Sequence, residues 1–338
     1  MKKIGLLLLV VIASLTLLGC NNSEFKVDGE FTAFAESVHS NAPMVTMVTV
    51  KIENGEIVDY TIDAIQGTRT QTAGAETTED TTDDVYAFVF NTESKRDLGF
   101  NYKMHYNTYA ATDETPTVTE YQTWLTANNK NEWFQQADLV EAAWLANGVD
   151  SVTKNSETTV INNVAGVTIK DGGYIALAAE AVELAKAGKF QALIPSADDI
   201  YFASMVVSAS GKVSDLIIDT LQGTPTGADF AWSVKTKQEL GNDYAMKGVG
   251  PAYTFASGTW TASATAKATL EWYEQVALIS DYVLDNGWNA NLQAVGGRGG
   301  SLNGTALLDD LAGVTVHSQT YYDVLEALFA CPAEGEVK

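Results

Sequence analysis

The sequence predicts an α+β fold made of two tandem repeats, each an antiparallel β-hairpin or sheet packed with helices. Three observations carry that expectation. Four blocks of the first half recur in the same order in the second. Each copy opens with β-rich segments around a Gly turn. Each closes with two amphipathic helices, and segregated strands and helices disfavour a doubly wound sheet. The 338 residues are 46% apolar and 19% charged, a globular composition long enough for two cores. With 43 acidic against 20 basic residues, the net charge of −23 sets nucleic-acid binding aside. Two cysteines and three histidines leave little for a zinc or iron–sulfur site.

The chain begins with Lys2-Lys3 and an apolar run over 4–18, the form of a secretory signal. Leu17-Leu18-Gly19-Cys20 resembles the bacterial lipobox, which implies a lipidated Cys20 as the mature N-terminus. Loss of Lys2 and Lys3 takes the net charge to −25 and leaves Cys331 as a lone thiol. The expected organisation is a leader over 1–19, Cys20 and a tether over 20–26, one repeat over 27–189, a second over 190–330 and a tail over 331–338.

In the first block, residues 55–68 align without gaps to 211–224, with seven of fourteen positions identical. Residues 45–52 and 57–65 are β-rich and flank Asn54-Gly55, a hairpin turn dipeptide. The second block pairs Lys95-x-x-Leu98-Gly99-x-x-Tyr102-x-Met104 with Lys237-x-x-Leu240-Gly241-x-x-Tyr244-x-Met246. In the third, Glu132-Trp133 and Gln136 match Glu271-Trp272 and Gln275. Trp133, Ala137, Val140 and Trp144 share one helical face, as do Trp272, Val276, Ile279 and Val283, and Asn-Gly ends each helix. The fourth block, Ala165-Gly166-Val167-Thr168 and Ala312-Gly313-Val314-Thr315, precedes a last helix carrying Tyr174, Leu177, Ala181 and Leu184, or Tyr321, Val324, Leu325 and Leu328. Asp171 and Ser318 are candidate caps for these helices. Residues 70–84, rich in Thr, Asp and Glu, and the Gly-rich run over 296–300 read as loops.

The repeated Ala-Gly-Val-Thr resembles the FMN-binding domain, whose motif Asp-x-x-Ser/Thr/Ala-Gly-Ala/Val-Thr receives FMN as a phosphoester on the Thr hydroxyl. Asp28-Gly29-Glu30-Phe31, the Gly-turn hairpin and the two other repeated blocks agree with that pattern, which is most similar to two-domain flavin lipoproteins of extracellular electron transfer. The resemblance implies covalent FMN on Thr315 and Thr168, installed by an FMN transferase of the ApbE type. Asp309 stands at the acidic position of the second motif, but Asn162 replaces it in the first, so Thr315 is the preferred site.

A Thr ahead of a helix can place a phosphate near free backbone N–H groups, and Gly166 and Gly313 let the backbone approach a nucleotide closely. Thr68 and Thr224, in the repeated Gln-Gly-Thr, stand where related domains carry a turn facing the flavin, although such a turn can equally be structural. Lys95 and Lys237 are repeated cations that could meet the FMN phosphate or pair with a carboxylate. His317 and its counterpart Lys170 could meet the same phosphate, but solvent exposure is the reading that fits them better. Tyr174 and Tyr321 fit the core better than a ring stack.

The expected function is that of an electron carrier rather than a turnover enzyme, held on the outer face of the membrane. Its implied partners are the transferase, a membrane quinone or flavin oxidoreductase as donor, extracellular acceptors, and the bilayer through Cys20. The competing reading is a ligand-binding surface lipoprotein without covalent flavin, and a third is an adhesion or structural protein.

Overall fold

A computed structural model describes residues 24–72, 84–109, 115–256, 259–288, 311, 313–316 and 319–338. The expectations placed on Cys20, residues 296–300, Asp309, Ala312, His317 and Ser318 lie outside the described residues. The architecture is mixed α+β with antiparallel sheets.

The first half opens with β1 (Gly29–His39), β2 (Ala42–Glu53), β3 (Glu56–Thr72) and β4 (Val85–Phe90), hydrogen-bonded in that order. Both tight turns need two consecutive positive φ angles, the type I′ geometry that matches strand twist. Asn54 and Gly55 supply 54° and 75°, Ser40 and Asn41 supply 51° and 58°. β1 is an additional strand beyond the expected hairpin, and its Ser-Asn turn carries a weaker signal than Asn-Gly. Residues 70–72, expected as loop, continue β3 and pair with β4; their β-branched Thr residues suit an extended strand.

Short helices α1 (Lys95–Leu98), α2 (Tyr106–Tyr109) and α3 (Val118–Ala127) follow, then α4 (Trp133–Asn147) and α5 (Tyr174–Ala187). The face of α4 formed by Trp133, Ala137, Val140 and Trp144 is buried, with β3 as its chief neighbour, while α5 covers β1 and β2. Gly148 ends α4 at φ 84°, its N–H donating to Trp144 O at 2.7 Å.

The second half has β5 (Lys189–Ser196), β6 (Asp199–Val207) and β7 (Val213–Leu221) as a three-stranded sheet, then α6 (Lys237–Leu240). A hairpin of β8 (Pro251–Ala256) and β9 (Thr259–Lys267) precedes α7 (Trp272–Asn286) and α8 (Gln319–Ala330). α7 packs on β7, and α8 packs on β5 and β6. The halves differ most between their second and third blocks. Thr117 and Glu120 form a capping box that starts α3, whereas the alternating Thr and Ala residues over 259–267 form a strand.

The sheets meet through their faces opposite the helices, where Val45, Phe90 and Ile200 cluster with Phe34, Met47, Ile65, Phe202 and Trp232. Phe31 stacks on Phe190 with ring centroids 4.1 Å apart. Residues 331–338, expected as a tail, are tied down: Glu30 N donates to Cys331 O at 2.9 Å, Ala333 N to Asp28 O at 3.0 Å, and Lys338 N to Gly211 O at 3.0 Å. Buried polar backbone seeks a partner, and the last residues find theirs on β1 and on the β6–β7 turn.

Candidate functional site

The site grows from the start of α7. Glu271 is a buried N-cap whose carboxylate accepts the backbone N–H of Met246 at 2.9 Å and of Lys247 at 3.0 Å. This ties the end of the Lys-x-x-Leu-Gly-x-x-Tyr-x-Met block to the helix. One turn on, Gln275 is 1% exposed and collects three donors on Oε1: Thr315 N at 2.6 Å, Thr315 Oγ1 at 3.2 Å and Val316 N at 3.1 Å. Two backbone N–H donors fix this atom as the amide oxygen. The Thr315 hydroxyl therefore directs its proton at Gln275.

The first half has the same arrangement. Gln136 Oε1 accepts Thr168 N at 2.6 Å, Thr168 Oγ1 at 3.2 Å and Ile169 N at 3.1 Å. Glu132 accepts Met104 N at 3.0 Å and the Tyr121 hydroxyl at 2.6 Å. The sequence alone does not place either glutamine in the site. The signal for both is the Gln four residues after the repeated Glu, one helical turn along the same face.

Thr315 lines a cavity of about 420 Å³ with Gly313, Val314, Leu270 and the aromatic residues Tyr253 and Trp260. Gly313 has φ 96°, and a Cβ there would lie 3.0 Å from Leu270 Cδ1. Thr168 is exposed and does not line the first-half cavities bordered by Asn131 and Gln135, by Tyr102 and Tyr106, or by Thr49 and Thr61. Gly166 has φ 82°, and a Cβ there would lie 3.0 Å from Asn131 Nδ2, which donates to Gly166 O at 3.1 Å. Ala165 is exposed and Val167 buried. Asn162 accepts the Thr153 hydroxyl at 3.0 Å.

A second cavity, of about 410 Å³, adjoins the first, for Tyr253 lines both and Val316 comes directly after Thr315 in the chain. Lys237 lies on its wall with Tyr201, Tyr244, Trp272 and Tyr321. Lys237 is 7% exposed, and its Nζ stands 5.9, 5.4 and 5.5 Å from the ring centres of Tyr201, Tyr244 and Trp272. Burial lowers its pKa, against the opposing pull of Asp199 and Asp219. Lys95 has the same setting, 5.2 Å from the centres of both Tyr102 and Trp133, and burial pushes it down to about 8, with Asp63 opposing. Among the described residues neither lysine makes a salt bridge. In place of a carboxylate, one of the two partners expected for these lysines, aromatic rings surround each ammonium, and such rings favour a cation on their faces.

Thr68 and Thr224 sit elsewhere. Gln66-Gly67 is where β3 leaves β2 for β4, so this segment is strand, not turn, and the Thr68 hydroxyl donates to Asn91 Oδ1 at 2.7 Å. Thr224 N donates to Ala231 O at 2.8 Å beside the bridge of Gly223 with Trp232. A Cβ on Gly67 would lie 2.6 Å from Pro43 Cγ, and one on Gly223 2.6 Å from Asp198 O. Close approach accounts for both glycines.

Asp171 serves α5 from outside the helix: Oδ1 accepts Ile175 N at 3.1 Å and Oδ2 the Lys154 ammonium at 2.5 Å. Lys170 is exposed and bridges Val160. Tyr174 and Tyr321 are buried, and Tyr321 OH accepts Trp272 Nε1 at 3.1 Å and the Thr220 hydroxyl at 3.3 Å. Burial pushes the Cys331 thiol up to about 12, and it donates to Ala327 O at 3.3 Å. Among the described residues no group of three or more His, Cys, Asp or Glu could hold a metal, and no helix is long and apolar enough to cross a membrane.

The sequence matches no family model and no curated protein. A solution NMR structure of a protein from Clostridium thermocellum is similar to 46% of this chain and 89% of its own, at 21% identity and a TM-score of 0.25.

Proposed function

We propose that the chain is a pair of tandem FMN-binding-type domains that carries FMN as a phosphoester on Thr315 and acts as a lipid-anchored electron carrier. The observation that carries this reading is the Thr315 hydroxyl, held by Gln275 at the edge of a cavity of about 420 Å³. That volume lies within the roughly 300–1,000 Å³ of small-molecule sites. The chain's own residues fit the group: the hydroxyl can form the ester, Gly313 keeps the approach open, and Tyr253 and Trp260 offer ring faces. When bound, FMN supplies reversible one- and two-electron chemistry. Gln275 holds the attachment point still, and the cavity wall limits water around the ring.

The repeat reading is supported by the identical pattern of three hydrogen bonds at Thr168 and Thr315. Thr168, exposed and outside the cavities, is the lesser site. Cys20 is the proposed anchor, and a membrane quinone or flavin oxidoreductase and extracellular acceptors are the proposed partners. The test is co-expression of the mature chain with an FMN transferase, followed by denaturation and detection of protein-bound flavin fluorescence. Bound flavin that falls by more than half in Thr315→Ala, and less in Thr168→Ala, is the expected result. No flavin on the denatured chain overturns the proposal.

A further inference from the structure

We propose that the cavity around Lys237 is a binding site for a small planar aromatic anion, with its acidic oxygen on the lysine ammonium and its ring among Tyr244, Tyr253 and Trp272. Lys237 is 7% exposed, yet it lines an open cavity of about 410 Å³. A buried ammonium without a counter-ion carries a desolvation cost that a charge-assisted partner offsets. The nearest acids are already engaged. Asp199 Oδ1 accepts Gly223 N at 3.1 Å, and Asp219 Oδ1 accepts Thr220 N at 2.7 Å and Gln238 N at 3.0 Å.

The rings around Lys237 only partly replace an anion, and they also select one. An inorganic ion would cover none of the apolar ring surface that lines the cavity, whereas a flat aromatic body packs against it. The first half makes the comparison. Lys95 stands between Tyr102 and Trp133 in the same way, but it lines none of the described cavities. The difference lies in the segment between the second and third blocks. Pro251 and Tyr253 of the β8–β9 hairpin wall the second-half cavity, and the first half has α2 and α3 instead. Binding here does not require flavin on Thr315, which lines the neighbouring cavity and not this one.

Isothermal titration of the full mature chain, purified without flavin, tests the site with 2-naphthoate, neutral 2-naphthalenemethanol and inorganic sulfate. One naphthoate site is expected, at least tenfold tighter than the alcohol, with no saturable sulfate binding. Lys237→Met should weaken naphthoate at least tenfold, and Lys247→Met, which removes a nearby surface charge, should not. In the unmutated chain, naphthoate should protect Lys237 from reductive methylation read by mass spectrometry, a measurement that needs no variant to fold. Absent or non-saturable binding, equal affinity in Lys237→Met, or unprotected Lys237 overturns the proposal. So does naphthoate binding that vanishes when Thr315 carries flavin, which assigns the cavity to the tethered ring.

Discussion

Gln275 makes one amide oxygen serve two backbone N–H groups and a hydroxyl, so its loss is costly in a definite way. Gln275→Leu keeps the size but strands Thr315 N and Val316 N, and an unsatisfied buried donor costs about 1–3 kcal/mol. Urea unfolding should show a destabilisation of about 2–4 kcal/mol, and a change below 1 kcal/mol would mean the loop is held by other contacts. The sequence displays this glutamine as a repeated letter, but its role depends on a loop forty residues away. The lysines are also visible as repeats. Their lack of a carboxylate is not, since one-dimensional spacing says nothing of which rings close around an amine.

Lys95 has a pH signature. An ordinary lysine titrates near 10.4, and here burial brings it to about 8. Below 8 both folded and unfolded chains hold the proton. Between 8 and about 10.4 the folded chain has shed a proton that the unfolded chain keeps, so this group's contribution to stability rises with pH. Relative to Lys95→Met, the unmutated protein should gain up to about 3 kcal/mol between pH 7.5 and 10.5, measured by urea denaturation. Parallel profiles for the two proteins would show that Lys95 keeps its normal titration in the fold.

At the scale of elements, the short motifs are readable because each has a local physical cause. The Lys-x-x-Leu-Gly block is a one-turn helix begun by a capping box, Ser94 with Asp97 or Thr236 with Glu239, and ended by a glycine at φ 49° or 52°. Helices α4 and α7 are legible from their apolar period and Asn-Gly ends. β1 and β5 are less so: the Ser40-Asn41 turn is an uncommon I′ pair, and β5 begins directly after the α5 cap at Gly188. The contrast between α3 and the β8–β9 hairpin is hidden because no repeated block spans it.

Gly67 shows how a repeated residue can belong to the framework. It marks the position where β3 exchanges one neighbour for another, pressed against Pro43. Gly67→Ala should cost about 1–3 kcal/mol through overpacking, read as a lower urea midpoint with no loss, per folded molecule, of the flavin attachment proposed for Thr315. Lost attachment at unchanged stability would return this segment to the binding site.

The whole molecule is held by contacts that cross its middle. Trp232 Nε1 donates to Ser37 O at 2.8 Å, Asn41 Nδ2 to Ala228 O at 2.6 Å, and Phe230 N to Asn41 Oδ1 at 3.0 Å. These join segments nearly two hundred residues apart, which no local pattern in the sequence announces. The final residues add three more such bonds. Deleting residues 331–338 removes Cys331 O, Ala333 N and Lys338 N from their partners. With about 1 kcal/mol net for each bond and a few degrees per kcal/mol, the melting temperature should fall by roughly 5–10 °C in calorimetry. An unchanged transition would make the C-terminal bonds ornamental to stability.

Those same bonds have a mechanical meaning. Residues 28–30 and 331–333 run side by side, so β1 is clasped by the C-terminal segment along the edge it does not share with β2. Tension delivered at the N-terminus passes at once into β2 on one side and the C-terminal segment on the other. A pull on β1 is therefore shared between the first-half sheet and a C-terminal segment that is itself tied to the second half through Gly211.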